Sequence, residues 1–131
     1  MSLLLVACLL APVATPARQD ASPPNVLLVL ADDLGYGDLG CYNPESKVPT
    51  PNLDRLAAEG MRFTDAHSPS TVCTPSRYGV MTGRMPFRLN YRGVFTGVEG
   101  PCLITADRLT LPEMLRRRGY ATAMFGKWHI G

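Results

Sequence analysis

The strongest constraint on the fold of this 131-residue chain is an unbroken β-favouring run, Asn25–Leu30 (NVLLVL). Because every residue after Asn25 is apolar, the run suits a strand buried on both faces of a parallel sheet. Two acidic residues, Asp32 and Asp33, follow it closely. In open α/β sheets ligands bind beyond the carboxyl ends of the strands, so these two carboxylates are candidates for a functional site.

Helix signals alternate with further strand candidates along the chain. Each of three predicted helices starts with a threonine cap and an early proline: Thr50–Pro51, running to Gly60; Thr74–Pro75, beginning just after Cys73; and Thr110–Leu111–Pro112, running to Gly119. The composition of segments 61–66 and 120–125 predicts strands. Irregular structure is predicted for segments 35–49 and 83–107. This alternation predicts an α/β fold with a mainly parallel or mixed sheet flanked by helices.

Composition narrows the class of protein. Thirteen basic and 11 acidic residues leave a net charge of +2, which gives no electrostatic footprint for nucleic acid. A hydrophobic fraction of 46% argues against disorder. The length allows one domain at most. The chain stops at Gly131 without a terminating feature, so we expect it to be truncated.

The N-terminal segment predicts export. The apolar run 2–14 is too short for a membrane-spanning helix, which needs roughly 20 residues. Small residues around Ala17 suit signal-peptidase cleavage, which gives a signal peptide over 1–17, a linker over 18–24 and a periplasmic or extracellular location. A buried first helix or strand and a lipoprotein lipidated at Cys8 are the alternatives.

The cysteine count indicates that one thiol is special. After export Cys41, Cys73 and Cys102 remain, an odd number for an oxidising compartment. If Cys73 serves chemistry, Cys41 and Cys102 could pair, and two free thiols are the equal alternative.

Several polar residues could carry chemistry, each with a plainer structural alternative. Asp32 and Asp33 could hold Ca²⁺ or Mg²⁺, or simply form a turn or cap. Cys73 at a helix N-terminus, with Arg77 one turn on, could receive an anion, or fill a small core position. Lys127 and His129 would lie on one side of an extended segment. We interpret the lone His67 as structural.

Three stretches together resemble the sulfatase family. Cys73-Thr74-Pro75-Ser76-Arg77, followed by Met81-Thr82-Gly83-Arg84, resembles the signature in which the cysteine is oxidised to formylglycine. Gly119–Thr122 with Gly126–His129 resembles the second signature, and Asn25–Asp33 the metal-binding first strand. The three residues between Cys73 and Arg77 differ from the five of a tyrosine-phosphatase loop. The resemblance implies an alkaline-phosphatase-like sulfatase fold and identifies 25–131 as the N-terminal part of its catalytic domain.

The resemblance also implies roles for individual residues. Cys73, as formylglycine, would be the nucleophile that attacks a sulfate ester. A maturation enzyme would read Pro75 and Arg77, and Arg77 would later hold the hydrated aldehyde. Lys127 would bind the oxygens of the hydrated aldehyde or those of sulfate. His129 would accept a proton during release of sulfate. Asp32, Asp33 and the oxygen of residue 73 would bind Ca²⁺, with Mg²⁺ as the less favoured ion.

The expected activity is hydrolysis of sulfated small molecules or polysaccharides. Further metal ligands would be needed, so we expect the 131 residues alone to be inactive. The alternatives are a phosphonate monoester or phosphodiester hydrolase of the same superfamily and a non-catalytic remnant. Arg84, Arg88 and Arg92 could line a groove for an anionic polysaccharide, although a solvated basic loop is the plainer interpretation. No nucleic-acid partner and no stable membrane span are expected.

Overall fold

The computed structural model describes residues 22–91, 93–95 and 101–131. The chain divides into two compact units, residues 1–30 and 31–131. In the first unit the structure describes residues 22–30, which form neither helix nor strand. The predicted signal peptide over 1–17, including Cys8, and the start of the linker lie outside the described residues.

Three α-helices organise the second unit: α1 (Pro51–Glu59), α2 (Cys73–Thr82) and α3 (Leu111–Arg116). Short 3₁₀ turns occur at Tyr36–Asp38 and Pro86–Leu89, within the stretches predicted to be irregular. The helix predicted from Thr50 to Gly60 is confirmed, with Gly60 as its C-cap. The Thr50 hydroxyl nevertheless makes no capping bond, because it accepts from the Gly40 N–H and donates to Asp54 Oδ1 (2.9 and 3.0 Å).

The third helix follows its predicted start signal. Thr110 is the N-cap, and its hydroxyl accepts from the Glu113 N–H. The helix ends at Arg116 rather than Gly119, and the chain leaves through a turn in which Gly119 has a positive φ of 86°. Local capping chemistry therefore sets the start of this helix, and glycine permits the chain reversal after it.

The start of α2 differs from the sequence prediction. The helix begins at Cys73 with Val72 as an N-cap that makes no side-chain capping bond, so Thr74 lies inside the first turn. Thr74 is fully buried, and its hydroxyl bonds to Phe95, 21 residues further along the chain. The cap prediction was wrong here because a tertiary contact engages the hydroxyl that the local pattern assigned to capping.

The sheet predicted from sequence is not found within the described residues. Segments 25–30, 61–66 and 120–125 belong to no strand. Apart from the half-buried Tyr120 they are also exposed, with Val26–Leu30 between 48 and 88% accessible and Phe125 at 93%. Strand composition alone does not make a strand, because ladder hydrogen bonds and burial both require neighbouring chain.

The buried residues of the second unit centre on the first half of α2. Thr74, Pro75 and Tyr78 are buried there, and Ile130 is buried from the C-terminal segment. Helix α2 contacts both α3 and the Pro86–Leu89 turn. A Cβ added at Gly79 would lie 2.5 Å from the Pro69 ring, so the preceding loop packs directly on the helix backbone. This packing fixes the position of Cys73.

Two further expectations concern cysteines and the membrane. Cys41, Cys73 and Cys102 are free thiols in the part of the chain that is described, so the Cys41–Cys102 pair does not occur there. Within the same residues, no helix combines the length and the apolar character required to cross a membrane.

Candidate active site

The N-terminus of α2 presents the residues of the first motif at the centre of the second unit. Cys73 is the first helical residue and is half-buried. Arg77 follows one turn later, and only 11% of its side chain is exposed. A nearly buried guanidinium beside a helix N-terminus makes this end of α2 electropositive.

The carboxylate of Asp32 joins the three sequence motifs. Arg77 Nη2 lies 3.2 Å from Asp32 Oδ1, and Lys127 Nζ lies 3.1 Å from Asp32 Oδ2. Arg77 Nη1 also donates to the Lys127 carbonyl oxygen at 2.7 Å. Asp32 and Lys127 are 95 positions apart in the chain. Tertiary structure therefore brings together an acidic and a basic residue that follow two different predicted strands.

The neighbouring cations change the ionisation of Asp32. The hydrogen bond from Lys127 is the main influence that lowers the pKa of this carboxyl below its ordinary value; the charges of Lys127 and Arg77 and the Arg77 hydrogen bond act in the same direction. Desolvation opposes them. Two cations around one carboxylate leave one net positive charge, which suits an anionic substrate group.

The backbone at His129 is not extended, whereas the sequence prediction assumed an extended segment. The φ of His129 is +56°, so the chain turns at this residue. Nε2 of the ring lies 2.8 Å from the Phe95 carbonyl oxygen, and Nδ1 is buried without a hydrogen-bond partner among the described residues. A left-handed residue therefore interrupts the extended segment on which the prediction for Lys127 and His129 depended.

The C-terminal segment is held tightly next to His129. The Leu103 N–H donates to the Ile130 carbonyl oxygen at 2.9 Å, and the Trp128 indole N–H donates to the Gly131 carbonyl oxygen at 2.7 Å. A Cβ at Gly131, where φ is +114°, would lie 2.4 Å from the Cys102 Cα. These contacts hold the chain on the C-terminal side of His129.

The motif serine, Ser76, holds the loop before α2. Its hydroxyl lies 2.8 Å from the carbonyl oxygens of both Ser70 and Val72, and one hydroxyl proton can serve only one of them at a time. The Ser68 hydroxyl is 3.1 Å away. Ser76 thus fixes the approach of the chain to Cys73.

The described residues do not form a complete site for a hard cation. Ca²⁺ takes six to eight oxygen ligands. No group of three or more carboxylate, thiol or imidazole ligands occurs in residues 22–91, 93–95 and 101–131. Both oxygens of Asp32 already contact cations, and no hydrogen bond or ion pair is found for Asp33 within those ranges. The predicted ligand set of Asp32, Asp33 and residue 73 is thus not assembled here.

The other sequence candidates lie apart from this cluster. His67 forms an exposed pair with Asp65 (2.7 Å), in keeping with its structural interpretation. Arg84 and Arg88 are exposed, and Arg92 lies outside the described residues. Sequence reasoning gave Thr74 only a capping role and did not single out Phe95, whose backbone contacts both Thr74 and His129. No local pattern marks Phe95, because only its backbone takes part.

Comparison with known proteins assigns the chain to a family. Residues 24–131 match the family described as Sulfatase. Arylsulfatase A of Homo sapiens is 52% identical over 85% of this chain and 22% of its own length. An N-acetylgalactosamine-6-O-sulfatase of Bacteroides thetaiotaomicron is 44% identical over 86% of this chain, which corresponds to 22% of that enzyme's length. The steryl-sulfatase of Mus musculus is 42% identical over 100% of this chain, which corresponds to 22% of its own length. The chain therefore spans about a fifth of the length of these relatives, and it belongs to the sulfatase family.

Proposed function

We propose that the protein expressed from the complete gene hydrolyses organic sulfate esters, with Cys73 converted to formylglycine as its nucleophile. Sulfatases use a formylglycine and a divalent metal ion. The observation that carries the proposal is the contact of Asp32 with Arg77 and Lys127, since it unites three separate motifs at the end of α2 that bears Cys73. Residues 1–131 alone are proposed to be inactive, because the described residues leave the cation shell incomplete.

The chemistry requires an aldehyde rather than a thiol at position 73. The hydrated aldehyde supplies one hydroxyl that attacks sulfur, forming a new S–O bond while the ester S–O bond breaks and the alcohol leaves with a proton. Its second hydroxyl then loses its proton, the C=O bond re-forms and sulfate is expelled. Water hydrates the aldehyde again. A thiolate or a single hydroxyl could not release the covalently bound sulfate in this way, because neither leaves a second hydroxyl from which the C=O bond can re-form.

Conversion of Cys73 needs a formylglycine-generating maturation enzyme and an external oxidant. Pro75 and Thr74 are buried in the folded protein. An enzyme that reads Pro75 must therefore reach the motif before α2 packs. Arg77, nearly buried and tied to Asp32, is likewise accessible for recognition only in that earlier state.

Arg77 and Lys127 provide the positive charge that holds the anionic groups. Two of the three guanidinium nitrogens of Arg77 are engaged, and Nε is buried without a partner among the described residues. Nε is therefore proposed as a buried donor to an oxygen at residue 73, beside the second N–H of each Nη nitrogen. Lys127, 43% exposed along its side chain, can also reach a sulfate oxygen of a bound ester. His129 would accept the proton of the second hydroxyl.

Asp32 and Asp33 remain the proposed metal ligands from this part of the chain. Two carboxylates supply only a minority of the oxygens that Ca²⁺ needs. Binding of ⁴⁵Ca²⁺ to the complete protein should weaken in Asp33→Asn and stay unchanged in Asp38→Asn, which alters a neighbouring 3₁₀ turn. Equal binding by both variants would remove Asp33 from the ligand set.

The location and substrate are also proposals. The apolar segment over 1–17 supports export to the periplasm or the extracellular space, with lipidation at Cys8 as the alternative. The comparison names an arylsulfatase and a steryl-sulfatase among the relatives, which supports a sulfate ester as the substrate class. The exposed Arg84 and Arg88 are compatible with a polysaccharide.

The decisive experiment joins mass spectrometry to kinetics. The peptide containing residue 73 should be about 18 Da lighter than its cysteine form after expression with a maturation enzyme. Cys73→Ala should abolish hydrolysis of nitrophenyl sulfate, whereas Cys102→Ala, an exposed free thiol, should leave it unchanged. An unmodified thiol would favour a non-catalytic remnant. Faster turnover of a matched aryl phosphonate would instead identify a phosphonate or phosphodiester hydrolase.

A further inference from the structure

Two hydrogen bonds connect the residue after the nucleophile to His129 through the backbone of a single residue, Phe95. The Phe95 N–H donates to Thr74 Oγ1 at 3.2 Å. The Phe95 carbonyl oxygen lies 2.8 Å from His129 Nε2. Thr74 is fully buried, and the Phe95 ring packs on Tyr91 with centroids 5.7 Å apart. The Phe95 backbone is therefore held on both of its polar groups and by its side chain.

This contact determines the tautomer of the imidazole. A carbonyl oxygen can only accept, so Nε2 must carry the proton in the contact with Phe95. In the neutral ring Nδ1 is then the basic nitrogen, and it is the buried nitrogen without a partner among the described residues. The opposite tautomer would place two acceptors face to face at 2.8 Å. The Phe95 carbonyl thus reserves the Nδ1 lone pair for a proton from elsewhere.

We propose that Thr74 is a positioning residue: its hydroxyl accepts from the Phe95 N–H and so holds the Phe95 backbone, and the carbonyl of the same residue fixes His129 as the Nε2–H tautomer with Nδ1 free to accept a proton. The inference rests on the proposed function for the role of His129 in sulfate release. It gives a function to the second position of the motif, where the sequence indicated only a helix cap. Thr74 acts through Phe95 and does not itself touch the reacting atoms in this scheme.

The test replaces the hydroxyl without changing the shape of the side chain. Thr74→Val removes it, and Thr74→Ser restores it. Thr82→Val is the matched control, because Thr82 lies on the same helix and, among the described residues, its hydroxyl bonds only to the Tyr78 carbonyl oxygen one turn earlier (2.7 Å). All four proteins, including the unsubstituted one, are expressed from the complete gene with the maturation enzyme and assayed with nitrophenyl sulfate.

The expected kinetic signature is a slower second step. With His129 mispositioned, alcohol release is unaffected but expulsion of sulfate is delayed. In Thr74→Val, kcat and KM should both fall about tenfold, kcat/KM should change little, and a burst of nitrophenol near one equivalent should precede the steady state. Thr74→Ser should recover most of kcat, and Thr82→Val should match the unsubstituted protein. A purely structural loss would lower the active fraction and the burst while leaving KM unchanged.

A second measurement does not depend on turnover. Imidazole ¹⁵N shifts, assigned by loss of the signal in His129→Gln, should show a protonated Nε2 and an unprotonated Nδ1 in the unsubstituted protein and a tautomer mixture in Thr74→Val. Identical shifts and kinetics in Thr74→Val and Thr82→Val would overturn the positioning role. Absence of turnover in the unsubstituted, formylglycine-containing protein would overturn the proposed function instead, and the ¹⁵N comparison would still decide the positioning role.

Discussion

Helices α2 and α3 differ in what holds them. Helix α3 is supported locally, by the Thr110 cap and by the ion pairs of Glu113 with Arg116 and Arg117, all partly exposed. Helix α2 has no side-chain cap and is held by buried residues and contacts from distant segments. The candidate active-site residues cluster at α2. A helix whose position depends on the whole chain can place residues against one another, whereas a locally supported helix mainly stabilises itself.

The largest difference between the helices should appear in activity. Arg77→Lys removes one of the two donors that reach Asp32 and the Lys127 carbonyl, and lysine cannot reproduce the planar fork. We expect kcat/KM for nitrophenyl sulfate to fall about 10²-fold through misplacement of the charged groups. Arg117→Lys on α3 is the control and should change it by less than about twofold. Equal losses in both variants would contradict the contrast between the helices.

A packing change should show how strongly α2 depends on its neighbours. Gly79→Ala raises helix propensity, but the new methyl would lie 2.5 Å from the rigid Pro69 ring. The overpacking should outweigh the propensity gain and lower the free energy of unfolding by about 1–3 kcal/mol. Urea unfolding followed by circular dichroism measures the change. Gly37→Ala, with its nearest neighbour at 3.7 Å, should be nearly neutral; a stabilised Gly79→Ala would contradict the close packing.

Removal of the α3 cap should have a smaller effect and no functional consequence. Thr110→Ala deletes a capping hydrogen bond that is long, at 3.4 Å. We therefore expect the free energy of unfolding to fall by about 0.5 kcal/mol, the low end of the range for N-caps. Thr110→Ser should be close to neutral in the same urea titration. Turnover of nitrophenyl sulfate should be unchanged in both variants, and a loss of activity would mean that α3 also positions the site.

The smallest effect should be the contribution of Asp32 to the pH dependence of the free energy of unfolding. The pKa of Asp32 is lowered, mainly by the Lys127 hydrogen bond, so the folded state binds protons less readily than the unfolded state. The stabilisation is therefore present above the ordinary aspartate pKa, about 3.9, and is lost as pH falls through the lower pKa of the folded state. Urea midpoints of the unsubstituted protein and Asp32→Asn should converge as pH drops from about 5 to about 3. A constant difference would exclude this linkage.

The local features were predictable to different degrees. Threonine and proline signals identified α1 and α3 because both helices start with an early proline next to a threonine N-cap, although only Thr110 makes a capping hydrogen bond. The strand predictions stay without support in the described residues, although membership of the sulfatase family implies an alkaline-phosphatase-like α/β fold. A strand depends on partners that composition cannot supply. Exposure of Val26–Leu30 illustrates this directly.

The sequence by itself determined the family and the inventory of reactive groups. Cys73 with Arg77, Asp32 beside Asp33, and Lys127 near His129 all lie in short motifs whose spacing is covalent and therefore readable. Only the tertiary structure decided which groups meet: Asp32 with both cations, and the buried Thr74 with Phe95 and His129. The reason is that such contacts cross 21 to 95 positions of chain, and those of Phe95 use backbone groups, which every residue carries and no sequence pattern marks.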